Sequence, residues 1–361
     1  MSAQPAVPTD LGMRPLSTPA LVVDLDVFEA NVAAMSELMR GTGKTVRPHV
    51  KTHRSPDLVK RQLVDGTRGV TCSTVGEAEA MSAAGIGDIL IANEVVDPAK
   101  LARVVKLARR GTVIVAADDA GPVDELSRQA AAAGVTVGVL VDVDTNLHRC
   151  GVSSAGEAVE LAGAIERSPG VRVAGIMGYE GRMRLGAPDR DGNIARSYAT
   201  LAQVRDALIK AGFAVDIVSA AGTSTLREAI ANPVITEMQA GVYALMEPQL
   251  LDLELPFRCA VALRGTVISR HPDRVVVDVG RRTAGMEYGA PTPIGFEASG
   301  LWVSDEHLTV SLTGAIPPLG STLDFRPGQI RTTFNLHDRF WVTRGGRLVG
   351  CWPVSARGSS Q

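Results

Sequence analysis

The chain has 361 residues and a formal net charge of −2, with 45% apolar and 21% charged side chains. That length exceeds one ordinary core and fits a barrel of usual size plus a smaller domain. A near-neutral chain in which only 4% of residues are aromatic argues against a nucleic acid or other polyanion as the main partner.

The segment Met1–Met13 is polar and Pro-containing, without the apolar centre of a signal peptide. No apolar run approaches the ~20 residues that a membrane span needs. Cys72, Cys150, Cys259 and Cys351 lie far apart with no CxxC pair, and read as reduced thiols of a cytoplasmic protein.

From residue 20 to about 245, short apolar runs alternate with longer amphipathic stretches. The runs are Ala20–Val23, Thr45–Val50, Gly69–Cys72, Ile89–Ala92, Thr112–Ala116, Val135–Val141, Val171–Met177 and Val215–Val218. Each is short, continuous and rich in β-branched residues, as a parallel strand buried on both faces must be. Helical periodicity fills the gaps, as in Val27–Met39, Pro98–Ala108, Ala120–Ala133 and Ala195–Ala211. Gly85, Gly111, Gly134 and Gly212 follow such stretches, where left-handed C-caps are expected. Eight strand–helix units predict a (β/α)8 barrel. The alternative, an open doubly wound sheet, usually carries a GxGxxG after an early strand, and none is present.

Beyond about residue 250 the texture changes. Arg258–Ser269, Arg274–Val279, His307–Thr313 and Arg339–Arg344 read as strands between Gly, Pro and Asp turns. The predicted organisation is a barrel over 18–250 and a mostly β C-terminal domain over 251–361, with segment 1–17 packing against the latter.

Active sites of barrels lie at the carboxyl ends of the strands. The second apolar run ends in Arg47-Pro48-His49-Val50-Lys51-Thr52-His53-Arg54. Burial lowers a lysine pKa and makes the amine a nucleophile for an aldehyde. A lysine can equally snorkel to solvent, and position alone does not choose.

The run Thr18-Pro19-Ala20-Leu21-Val22-Val23-Asp24, followed by Pro48-His49-Val50-Lys51-Thr52-His53-Arg54, resembles the D-threonine aldolase and D-serine dehydratase family over nearly the whole chain. These are fold-type III pyridoxal-5′-phosphate enzymes, with alanine racemase as a distant relative. The resemblance implies that Lys51 holds the cofactor as a Schiff base. In Asp144-Thr145-Asn146-Leu147-His148-Arg149-Cys150-Gly151, it implies that Arg149 meets the cofactor's phenolic oxygen; a cation there supports the ring as an electron sink. Tyr179, in Gly178-Tyr179-Glu180-Gly181, matches a cofactor-contacting tyrosine. Gly222, Thr223 and Ser224 match the family's phosphate loop, where amides and hydroxyls at the opening of a helix bind an anion. Gly241 and Tyr243 belong to the companion loop that completes the phosphate cup.

One segment departs from the family. Its members carry Pro-Asn-His-x-Cys or Pro-x-His-x-Asp in the C-terminal domain, and the His and Cys or Asp bind a divalent metal. Here the run is Pro327-Gly328-Gln329-Ile330-Arg331-Thr332-Thr333. Gln is a poor ligand and a guanidinium none, so no metal is expected there. Arg182 also stands where the family often has His. Arg331 and Arg182 either orient a substrate oxygen or carboxylate, or merely pair with acidic neighbours. His307, in Asp305-Glu306-His307, is a candidate acid/base, with His53 and His49 weaker ones.

The leading expectation is a metal-independent aldolase-type lyase acting on a β-hydroxy-α-amino acid of D configuration. A dehydratase or racemase on the same cofactor is the second reading, and a cofactor carrier without turnover the third. The resemblance further implies a homodimer.

Overall fold

The computed structural model describes residues 16–181, 183 and 185–361. The chain divides into two compact units. One holds the described residues up to Ala34 with 52–57 and 242–358, and the other holds 35–51, 58–241 and 359–361.

The first strand, β1 (Ala20–Asp24), belongs to the first of these units. The second unit contains eight strands: β2 (Thr45–Val46), β3 (Val70–Cys72), β4 (Asp88–Glu94), β5 (Thr112–Ala117), β6 (Val137–Val143), β7 (Val171–Gly178), β8 (Ile217–Ala220) and β9 (Glu237–Met238). All pair in parallel in the order β2-β9-β8-β7-β6-β5-β4-β3. Parallel bridges Val46–Thr67 and His49–Thr71 bring β2 against the approach to β3, so the sheet closes on itself. This is the expected (β/α)8 barrel, with helices following its strands.

Leu90, Ile114, Ala116, Leu140, Ala174, Met177 and Ile217 form one buried cluster, while their strand neighbours Ile89, Val113, Val115, Val139 and Val141 are buried as well. Burial on both faces is why these strands read as unbroken apolar runs rather than alternating ones. Caps are local and legible. Thr74 accepts from the Glu77 N–H at 3.1 Å while Glu77 reaches back to the Ser73 N–H at 2.7 Å, and Ser154 and Glu157 repeat the arrangement.

Two strand assignments change. Ala20–Asp24 is not the first barrel strand; it lies in the other sheet, antiparallel to a strand at 261–270 and parallel to one at 339–344. The eighth barrel strand is instead β9, two residues long and too short to show a periodicity. A periodicity reports that a strand is buried, not which sheet buries it. Gly85, Gly134 and Gly212 take positive φ as expected, but Gly111 does not. A Cβ at Gly111 would stand 2.1 Å from the Gly87 carbonyl oxygen, so glycine is required there for close approach rather than for a left-handed cap.

The other unit is a nine-stranded sheet of β1 with β10 (Val261–Arg270), β11 (Arg274–Val277), β12 (Thr292–Pro293), β13 (Gly300–Val303), β14 (Leu308–Ser311), β15 (Thr322–Arg326), β16 (Arg339–Arg344) and β17 (Arg347–Pro353). Its main path is β13-β14-β11-β10-β1-β16-β17, with β15 paired to β10 and β12. Leu263, Val275, Val277, Leu308, Val310 and Phe325 supply much of its core.

Candidate active site

Seven of the predicted cofactor residues sit on the barrel unit, each beyond the carboxyl end of a strand. Lys51 is the half-buried centre of a 3-10 turn, Val50–Thr52, after β2. Arg149 lies in the excursion that leaves β6 at Asp144 and returns at Val152, where Asp144 N–H donates to Val152 C=O at 3.1 Å. Tyr179 follows β7, Gly222, Thr223 and Ser224 follow β8, and Gly241 follows β9.

Three of these elements meet. The Arg149 guanidinium stands 5.8 Å from the centroid of the Tyr179 ring, within cation–π range. The same ring covers Gly222, where an added Cβ would meet Tyr179 Cε2 at 3.6 Å. The turn after β8 differs from the expected helix opening: Thr223–Thr225 is a single 3-10 turn, and the helix proper is only Leu226–Ala231. Thr223 and Ser224 are both buried.

The remaining predicted residues lie elsewhere. Tyr243 is fully buried, its ring 5.5 Å from that of Phe257. His307 is exposed in the turn between β13 and β14. Gln329 caps the helix Ile330–Leu336, its side-chain oxygen accepting from the Thr332 N–H at 3.3 Å and from the Thr332 hydroxyl. Arg331 donates to the Tyr288 hydroxyl at 2.8 Å and lies over the Tyr288 ring. His53 is buried, with Nδ1 accepting from the Ser55 N–H at 3.2 Å, and His49 is buried at the β2–β3 seam. Arg182 lies outside the described residues.

Sequence reasoning passed over a group of acids on the same rim. Asp142 is two residues beyond the interior residue Leu140 and so shares its face of β6, and it is buried. It faces Glu94 at the end of β4, with Asp118 after β5 and Arg149 and Cys150 after β6 around it. Burial and the Glu94 carboxyl push Asp142 up to about 8, against the pull of Arg149. Glu94 Oε1 is itself buried and accepts no hydrogen bond from a described residue. A charge inside the otherwise apolar Val137–Val143 was the available signal.

Because the folded-state pKa of Asp142 is raised, its contribution to stability is complete below the ordinary carboxylate range and is lost as pH rises through about 8. Melting temperatures taken from pH 5 to 9 are therefore expected to fall more steeply for the natural chain than for Asp142→Asn, which cannot ionise. Parallel curves for the two proteins would overturn the raised Asp142 pKa.

The alanine racemase N-terminal domain family matches residues 23–247, and the putative serine dehydratase domain matches 260–343. A D-threonine aldolase of Arthrobacter sp. is 38% identical, covering 99% of this chain and 97% of its own. A 3-hydroxy-D-aspartate aldolase of Paracoccus denitrificans is 33% identical over 98% and 95%. The crystal structure of D-threonine aldolase from Filomicrobium marinum superposes with a TM-score of 0.91 at 35% identity, over 96% and 97% of the two chains.

The barrel and its rim thus define a class, the alanine racemase-like enzymes that use pyridoxal phosphate. Within it, the chain belongs to the D-threonine aldolase and D-serine dehydratase family and is an enzyme of the D-threonine aldolase-like kind. The described residues fit that cofactor by their own chemistry. One rim carries a primary amine for an aldehyde, a guanidinium beside an aromatic ring, and a hydroxyl-bearing turn packed under that ring.

Proposed function

We propose that the chain cleaves the Cα–Cβ bond of a β-hydroxy-α-amino acid of D configuration, without a divalent metal. Support for the cleavage comes from relatives along the full chain that are themselves named as aldolases. The observation that carries the metal-free part is the chemistry of Gln329 and Arg331. The Gln329 oxygen is engaged as a helix cap, and a guanidinium repels a cation. Among the described residues, no group of three or more His, Cys, Asp or Glu is arranged to hold a metal ion.

When bound, pyridoxal phosphate supplies an electron sink for the pair left on Cα. Lys51 would hold the cofactor, and its amine would deliver a proton to Cα. Arg149 would keep the cofactor's phenolic oxygen ionised, and Tyr179 would contact the cofactor. Gly222, Thr223, Ser224, Gly241 and Tyr243 take the phosphate. His307 accepts the substrate's hydroxyl proton, while Arg331 and Arg182 orient the substrate's oxygens and offset charge developing on them. As the Cα–Cβ bond breaks, the Cβ–O bond becomes a carbonyl and Cα gains a proton, so the products are an aldehyde and a smaller amino acid.

The exposure of His307 suits delivery to a neighbouring subunit, and on that ground and by family likeness we read the protein as a homodimer; the widely spaced cysteines without a CxxC pair suit the cytoplasm. The barrel is the cofactor domain in this reading.

Incubating holoprotein with D-threonine, D-phenylserine and 3-hydroxy-D-aspartate, with and without EDTA, separates the readings. Aldehyde release that survives the chelator is expected. Release abolished by EDTA overturns the metal-free proposal alone. Keto acid with ammonia identifies a dehydratase, inversion at Cα a racemase, and absence of turnover a carrier.

A further inference from the structure

A carboxylate buried beside a turn that binds phosphate requires a reason, because two anions at close quarters repel. Glu180 is such a group. It follows Tyr179, is 3% exposed, and points its oxygens at the turn after β8. The Thr225 hydroxyl donates to Oε1, and the Ala221 N–H donates to Oε2 at 3.3 Å. Thr225 Oγ1 in turn accepts from the Gly222 N–H at 3.2 Å. Burial pushes the Glu180 carboxyl above its usual range, and these donors offset only part of that rise.

The turn itself is strained. Ala221 has φ +65°, a left-handed conformation that a residue with a Cβ adopts at a cost. Its carbonyl is held on the other side by the Gln239 N–H at 3.2 Å, and Arg190 caps the Ser224 carbonyl at 2.7 Å while pairing with Glu228 at 2.5 Å. Glu180 is therefore the acceptor that gathers the Ala221 amide and the Thr225 hydroxyl, and the Gly222 amide through it, into one closed set. Strain of this kind persists only where surrounding contacts over-determine it.

We propose that Glu180 is a positioning residue for cofactor phosphate: it clamps the left-handed Ala221 and preorganises the turn 221–225 before the cofactor arrives. The proposal rests on the reading of Gly222–Ser224 as the phosphate-binding turn, and the test keeps the two apart.

The probes are pyridoxal phosphate and pyridoxal, titrated onto apoprotein by absorbance and tryptophan fluorescence. Glu180→Ala is expected to weaken pyridoxal phosphate binding about 30-fold, the worth of one or two buried hydrogen bonds. Binding of pyridoxal, which lacks the phosphate, stays as in the natural chain. Ala221→Gly added to Glu180→Ala is expected to recover much of the loss, because glycine holds φ +65° without help. Should Glu180→Ala not fold, Glu180→Gln keeps the side-chain size and one acceptor oxygen, and about a fivefold loss with the same pyridoxal control is expected.

Equal weakening toward both probes, no weakening, or no rescue by glycine overturns the positioning role. Ser224→Ala is the separate arm. If that change leaves the preference for the phosphorylated probe intact, the phosphate-turn reading itself is wrong. If it erases the preference while Glu180→Ala and Glu180→Gln do not, only the role of Glu180 falls.

Discussion

Replacing Lys51 with alanine is expected to abolish covalent cofactor binding, remove the visible absorbance band, and lower turnover by about a thousandfold or more. Lys51 is held in a short turn between Val50 and Thr52, which are 0% and 1% exposed, so its backbone has little freedom to reposition. Its side chain is half-buried, and truncation creates no core cavity. The melting temperature of the apoprotein is therefore expected to stay within a degree or two, about the shift of a surface change. Lys51→Arg keeps the charge but offers no primary amine, and is expected to be as dark as the alanine variant. Borohydride reduction followed by peptide mapping checks the same point in the natural chain. A label on another lysine, or a coloured alanine variant, would remove the basis of the proposed chemistry.

The largest loss of stability is expected from Arg47→Met. Arg47 is 0% exposed at the seam where β2 closes the barrel. Its Nε donates to Glu237 at 2.9 Å and its Nη1 to Asp88 at 2.6 Å, joining β2 to β9 and β4. Glu237, 2% exposed, also accepts from Ser219 at 2.8 Å, and Gln239 donates to Ser219 at 3.1 Å. Removing the cation leaves a buried carboxylate with one neutral donor, which costs about 3–5 kcal/mol. For a unit of this size that is a fall in melting temperature of about 10 °C. Adding Glu237→Gln is expected to recover part of it, because the stranded charge is then gone. Equal melting of Arg47→Met and the natural chain would show that the seam does not depend on this cluster.

These two arginine and lysine positions lie four residues apart in one motif, yet differ in how far they could be read beforehand. Lys51 stands out because the family motif around it is specific. Arg47 looks like any polar residue at a strand end, since its partners are 41 and 190 residues away. Asp142 and Glu94 share the difficulty: they lie on different strands, β6 and β4, and only strand order makes them neighbours. Glu180 was visible beside Tyr179, but its role comes from the strained Ala221 on the next strand's turn.

What the sequence determined by itself is the class of fold and the cofactor chemistry. Strands buried on both faces must be apolar throughout, helices between them must be amphipathic, and a specific motif carries the amine. Tertiary structure alone decided which sheet takes Ala20–Asp24, that Glu237–Met238 closes the barrel, and which buried acids face one another. Those outcomes depend on pairing between segments distant in the chain, and local propensity is nearly the same for a strand in either sheet.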